Sequence, residues 1–497
     1  MELPKTINMK KLILIICLLV SYGINAQERY LDPVFSSVSI TGEVVYGINV
    51  TVITGAPALD TLTMDIYEPT GDTAAVRPLI LYLHTGSFLP VPLNGQCTGD
   101  KSDSASVEMC MQLAKKGYVV ASMNYRLGWN PVGDQDVRTG TLLNGVYRAL
   151  QDAKSCVRYF RKTIATMSNP YKIDDTRIAI GGQGSGGYVA LAYATVNSYD
   201  DINLVKFQNI GTGLSYIDTT LSGDWDGNGG VGLNQPMLNN PGYSNDVNFV
   251  FNMGGAMGDS SWMEAGDVPM VCFHVPNDPF APYTYGPVIV PTTGQFVVNV
   301  SGSYDIERRA TYLGNNDSFR FLGLTDPYTT RANLINDNID GLFPLERPDP
   351  PGPLTGEAGP WEWWDTTCTN SGSSLLSNPD MSKVKGLAYI DTVQNYVCPR
   401  MFRALGLNVF INETLQLQKS VKVFPNPSTG NFKIAIDASV AELETIRITD
   451  IAGKVIRTIK GDNSFIYDIN RQNLSPGIYF VKAQFTKGTI VKQVILD

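Results

Sequence analysis

Hydrophobic and polar residues follow two grammars along this chain, and the change falls near residue 417. From Leu62 to about Ala194, short apolar runs alternate with amphipathic stretches. Leu79–Leu83 is continuously apolar, as expected of a strand covered on both faces. Tyr118–Ser122, Arg177–Ile180 and Val268–Phe273 read as further strands. Helical periodicity marks Val107–Lys116, Asn144–Ile164, Tyr188–Thr195 and the region around Val393–Leu405. Strands alternating with helices predict an α/β domain with a mostly parallel, doubly wound sheet. Two stretches break the rhythm. Residues 200–245 are rich in Gly, Asn and Asp, and residues 284–385 in Pro, Gly and aromatics. Such insertions are expected over the C-terminal edge of the sheet, as a cap. Beyond Leu417 the period shortens to two. Asn431–Ile436, Thr445–Asp450, Lys454–Ile459, Ile478–Phe485 and Ile490–Leu496 read as strands separated by Gly- and Pro-bearing turns. They predict a small all-β sandwich.

The N-terminus adds a targeting expectation. Lys5, Lys10 and Lys11 precede the apolar run Leu12–Val20, and small residues lead to Ala26. This is the pattern of a secretory signal peptide. The run is too short for a membrane span, which needs roughly 20 residues. The chain therefore divides into a leader (1–26), an α/β domain (27–417) and a β-sandwich (418–497), with no transmembrane segment expected in the mature protein. The formal charge of -9 and the lack of basic runs beyond the leader argue against nucleic acid as a partner. In an exported chain the cysteines are free to pair. Cys97 with Cys110 and Cys368 with Cys398 are the expected pairs, and Cys156 and Cys272 the expected buried thiols.

The C-terminal residues carry a resemblance. Val423-Phe-Pro-Asn-Pro-Ser-Thr-Gly430, Asp450-Ile-Ala-Gly-Lys454 and Leu474-Ser-Pro-Gly-Ile-Tyr-Phe480 are similar to the sorting domain of type IX (Por) secretion. The resemblance implies the type IX machinery as a partner and a secreted or surface location.

The core resembles the carboxylesterase and hormone-sensitive-lipase group of α/β-hydrolases. Four segments carry this: Tyr82–Phe88, Lys116–Gly128, Ile173–Gly187 and Cys272–Asp278. The resemblance implies ester hydrolysis. It implies an oxyanion hole from the backbone of Gly86, Ser87 and Ser185, and Asp278 as the triad acid. The nucleophile is the difficult position. In a strand–turn–helix elbow the residues two before and two after the nucleophile must be small. Ser185 is preceded at that distance by the bulky Gln183. Position 184 is flanked by Gly182 and Gly186, so sterics put the elbow at Gly184, which has no side chain. The base is missing too. The fold's order is nucleophile, acid, histidine, and the chain's two histidines, His84 and His274, both precede Asp278. The expectation is an exported, non-catalytic or strongly impaired protein that binds a small molecule or polymer in the old cleft. One alternative is an active ester hydrolase in which a shifted turn lets His84 activate Ser185. Another is a cofactor-binding or structural surface protein.

Three lesser patterns remain. Gly182-x-Gly184-x-x-Gly187 formally matches a dinucleotide fingerprint but follows several strands. No cofactor is expected. Asp224, Asp226 and Asn228 match part of a calcium loop whose twelfth position is Gln235, and read more simply as a solvated turn. Trp361, Trp363 and Trp364 read as a satellite core beneath the long loop, or as an aromatic platform.

Overall fold

The structure, a computed structural model, describes residues 28–497 apart from 54, 232–235, 291–292, 321, 349, 408–419, 438–441, 452, 463, 472–473 and 487. The expected leader and the expected boundary at 417/418 lie outside the described residues. Two compact units meet between Leu405 and Gly406.

In the first unit eight strands form one sheet: β1 (Val38–Val52), β2 (Pro57–Pro69), β3 (Arg77–Leu83), β4 (Val119–Met123), β5 (Ile173–Gln183), β6 (Phe249–Met253), β7 (Met270–His274) and β8 (Leu342–Pro344). Their order is β1-β2-β4-β3-β5-β6-β7-β8. The first two strands form an antiparallel hairpin, β2 joins β4 antiparallel, and every later pairing is parallel. Every residue of β3, β4, β6 and β7 is buried, because helices cover both faces. In β2, Leu62, Met64 and Ile66 alternate inward.

Five helices matter here: α1 (Ser104–Lys115), α2 (Gln135–Thr166), α3 (Ser185–Thr195), α4 (Ser303–Leu313) and α5 (Lys383–Ala404). Helix α2 starts earlier than its periodicity from Asn144 implies. Asp134 caps it by accepting from the Val137 N–H. Thr139, a weak helix former, is held by donating to the Val297 carbonyl, so tertiary contact overrides local propensity.

Both insertions pack on the domain rather than trailing from it. The described residues of 200–245 contain short helical turns, tied to α2 through Gln151 Nε2 on the Ser222 and Asp224 carbonyls. The second insertion contains a hairpin (Gly286–Ile289 with Phe296–Val300), α4 and β8. The expected cysteine pairs are not formed. Cys97 is joined to Cys368, 271 residues on. Cys110 and Cys398 are free and buried, as are Cys156 and Cys272. Cys110 is buried on α1 and Cys398 on α5, while their expected partners are bonded to each other.

The second unit is built of two antiparallel sheets. β9 (Val421–Phe424), β10 (Phe432–Ile436) and β13 (Ile466–Ile469) make one, in the order β9-β10-β13. β11 (Leu443–Asp450), β12 (Val455–Lys460), β14 (Gly477–Phe485) and β15 (Gly488–Leu496) make the other, in the order β12-β11-β14-β15. Phe432, Ile434 and Ile436 share one core with Ile446, Ile448, Val481, Ala483 and Val494. The period-two pattern is therefore that of a sandwich with one dry side per sheet. β9 and β13 escaped the sequence pattern, being four residues each.

Candidate functional site

The turn between β5 and α3 is the centre of the site. Gly184 stands there at φ 52° and ψ -120°. A side chain at this conformation is strained, and a nucleophile elbow has that strain. The glycines on either side are held by close packing. A Cβ at Gly182 would lie 2.5 Å from the Gly186 carbonyl carbon, and one at Gly186 would overlap the Leu83 carbonyl. Strand and helix cross too closely at both points for anything but glycine. The apparent dinucleotide fingerprint has local causes too: Gly182 sits at this close approach, Gly184 has positive φ, and a Cβ at Gly187 would overlap Asn252 Oδ1. The space beside Gly184 is not free either: a Cβ there would overlap Thr85 Oγ1.

Ser185 follows as the first residue of α3. Its backbone N–H is among those a helix leaves without an internal acceptor. Its hydroxyl is 2.9 Å from Tyr125 Oη, which also donates to the His84 carbonyl at 2.8 Å. A phenol has one proton. With that proton on His84, Ser185 donates to Tyr125 and turns its lone pairs elsewhere. Burial raises the Tyr125 pKa, so a phenolate is not at hand to take the serine proton. Tyr125 is fixed by the residue after it. Arg126 Nε pairs with buried Asp152 at 2.9 Å, and its other nitrogens reach the carbonyls of Val50 and Arg148.

His84 ends the strand beside β5. Its ring stacks on Tyr125 at 4.6 Å, and its Nδ1 bonds the Thr85 carbonyl. Because a carbonyl accepts, Nδ1 carries the proton. Burial lowers the His84 pKa, so the ring is neutral. The hydroxyl facing Ser185 is thus that of Tyr125. Gly86 and Ser87 follow with positive φ values, 125° and 54°, and line the cleft together with Ser185.

Asp278 follows β7 and its side chain is 2 % exposed. One oxygen accepts from the N–H groups of Phe280 and Ala281, at 2.7 and 3.1 Å. Burial nevertheless raises its pKa to about 7. His274 Nε2 is 3.8 Å from the other oxygen. That ring is already engaged: Nε2 donates to the Ala281 carbonyl at 3.1 Å, and Nδ1 meets Ser303 Oγ at 2.9 Å. Burial pushes the His274 pKa down to about 4, so the two groups are not an ion pair at neutral pH.

A cavity of about 200 Å³ runs along these residues. Thr85, Gly86, Ser87, Gly184, Ser185 and Asp278 all line it, so the expected site residues share one space except His84. The loop after β8 supplies Trp361 and Glu362. Trp361 is 2 % exposed and lines the cavity. Four groups here were not singled out by sequence: Thr85 in its packing role, Tyr125, Tyr188 and Glu362. Tyr125 lay within the Lys116–Gly128 segment, and the aromatic richness of 284–385 marked the stretch that holds Glu362. At the calcium-like loop, Asp226 is held by Lys154 Nζ at 2.8 Å and Asp224 accepts from its own turn, while Gln235 lies outside the described residues. Among the described residues no group of three His, Cys, Asp or Glu gathers as metal ligands, and no helix is long and apolar enough to cross a membrane.

Residues 64–215 match the family described as BD-FAE, and residues 422–497 match the secretion system C-terminal sorting domain. No curated protein matches the chain. Similar solved structures include esterase 2 of Thermogutta terrifontis phosphorylated by paraoxon, at 18% identity over 50% of this chain and 74% of that one, with a TM-score of 0.29. The native form of the Thermogutta terrifontis esterase matches at 16% identity over 52% and 76%, with a TM-score of 0.29. A bifunctional GH43-CE protein of Bacteroides eggerthii matches at 17% identity over 51% of this chain and 29% of that one, with a TM-score of 0.32.

Proposed function

Taking as premise an esterase-like α/β-hydrolase domain joined to a type IX sorting domain, we propose that the protein is exported and holds a small-molecule or polymer ligand in its cleft without hydrolysing it through the standard triad. The sorting domain supports a secreted or surface location. The observation that carries the non-catalytic part is the elbow, where Gly184 keeps the strained backbone while Thr85 Oγ1 fills the room of a side chain. No histidine follows Asp278 in the chain. Loss of a serine nucleophile or its base costs on the order of 10⁶ in turnover, and roughly 10³–10⁴ over water remains from binding and the oxyanion hole.

A second reading keeps Ser185 as nucleophile, because the residue lines the cavity at a helix N-terminus. One experiment separates the two. The purified chain is incubated with a fluorophosphonate and its intact mass measured, beside a reactive serine hydrolase and a Ser185→Ala variant. The expected result is no adduct. A single adduct that Ser185→Ala loses would replace this proposal with the second reading.

A further inference from the structure

We propose that the cleft discriminates by charge, accepting a compact neutral or cationic ligand and rejecting the corresponding carboxylate. This deepens the binding role proposed above and rests on it. The cavity is larger than the apolar space of about 150 Å³ that holds benzene in another protein. Its wall is apolar on one side, with Leu142, Leu150, Phe207, Ile217 and Val298. It is therefore sized for a ring or a short branched chain.

The polar side decides the charge. Two acidic side chains, Asp278 and Glu362, line the space. Among the described residues that line it there is no Lys, Arg or His. Two donors point to a ligand acceptor. Trp361 Nε1 and Tyr188 Oη are buried atoms without a hydrogen-bond partner, and both residues line the cavity. A buried indole N–H left unmade is costly, so a carbonyl or hydroxyl oxygen from a ligand fits there. A carboxylate would gain the same donors but would have to sit beside two acids with no compensating cation.

The surroundings of both acids are consistent with this. Around Asp278 are the neutral His274, the N–H groups of Phe280 and Ala281, and Tyr188. Around Glu362 are Gln183, whose Nε2 is 3.5 Å from Oε1, Thr98, and a further acid, Asp103. Burial raises Glu362 to about 8 and Asp103 to about 7. An anion entering here would raise both further, which is the same repulsion seen from the protein's side.

The test uses three compounds of one shape: benzamide (neutral), benzamidine (cationic) and benzoate (anionic). Their affinities for the full chain are measured by calorimetry at about pH 8. Benzoate is expected to bind at least about tenfold more weakly than the other two. In an Asp278→Asn/Glu362→Gln double variant, whose folding is checked by circular dichroism, that gap is expected to close. Equal or tighter binding of benzoate overturns the proposal. So does a failure of all three to bind, or a gap that persists in the double variant. A fluorophosphonate adduct on Ser185 would overturn the non-catalytic reading while leaving this ranking to be judged by itself.

Discussion

On the non-catalytic reading proposed above, the elbow lacks a nucleophile and the acid arm a histidine, and the two places differ in what stands in the gap. At the elbow the gap is filled. Thr85 Oγ1 stands where a side chain on residue 184 would be, and Ser185 is tied to Tyr125. At the acid arm the gap is left open. Asp278 remains with one oxygen free of short hydrogen bonds, and Tyr188 Oη near it is unpartnered. A filled vacancy serves packing. An open one with a buried donor has a free-energy reason to take a ligand. Binding is therefore expected to centre on the acid arm.

The largest effect should come from forcing a side chain into the filled half. Gly184→Ser places a non-glycine residue at positive φ and overlaps Thr85 Oγ1. Strain and overpacking each cost about 1–3 kcal/mol. A loss of roughly 3 kcal/mol in urea unfolding is expected. Adding Thr85→Gly should recover about 1–2 kcal/mol of it, because only the overlap is relieved. A double variant no more stable than Gly184→Ser alone would mean that Thr85 does not fill the vacancy. Esterase activity is not expected in either variant, since no histidine is restored.

That prediction rests on an assignment available from sequence, and it marks how far sequence reaches. The elbow at 184 followed from the size of Gln183 and the spacing of Gly182 and Gly186, a local steric rule. The parallel strands Leu79–Leu83 and Tyr118–Ser122 followed from continuous apolar runs. What sequence did not disclose is set by distant contacts. The hairpin β1–β2 leaves one face half in solvent, so its alternation shows mainly in Leu62, Met64 and Ile66. β8 is three residues long inside a Pro- and Gly-rich stretch, recognisable only by its register against Cys272–His274. Cys97 and Cys368 meet across 271 residues, where proximity in sequence is no guide. Trp361 and Glu362 reach the cavity by the same long loop. Tyr125 was in plain sight within the Asn-Tyr-Arg segment, but its bond to Ser185 depends on the Arg126–Asp152 pair that holds the turn.

An intermediate effect should appear at the open half as a function of pH. Asp278 has its pKa raised to about 7, so the folded state binds a proton there that the unfolded state releases above the ordinary carboxyl range. Its contribution is fully present below about pH 4 and is lost as pH rises to about 7. His274 runs the other way. Its pKa is lowered to about 4, so the unfolded state binds the extra proton, and stability rises from about pH 4 to about 6.5. The two slopes oppose each other in that window. Asp278→Asn keeps an oxygen for the Phe280 and Ala281 N–H groups and removes one slope. The variant should gain on the wild type from about pH 4 to 7 and level off above that. A difference independent of pH would mean that Asp278 is not held in its neutral form.

The smallest effect belongs to Ser185, and it is the most telling for the filled half. If its hydroxyl serves only the Tyr125 bond, Ser185→Ala removes one neutral hydrogen bond, worth about 1 kcal/mol. Tyr125 would keep its bond to the His84 carbonyl and stay satisfied. Tyr125→Phe should cost more, about 1–2 kcal/mol, because the buried His84 carbonyl and the Ser185 hydroxyl both lose a partner. Combining the two should cost less than their sum, since they break the same bond. Ligand binding at the acid arm should be unchanged in Ser185→Ala. A large drop in affinity there would mean that the serine hydroxyl reaches the ligand, and the division into a filled and an open half would fail at that atom.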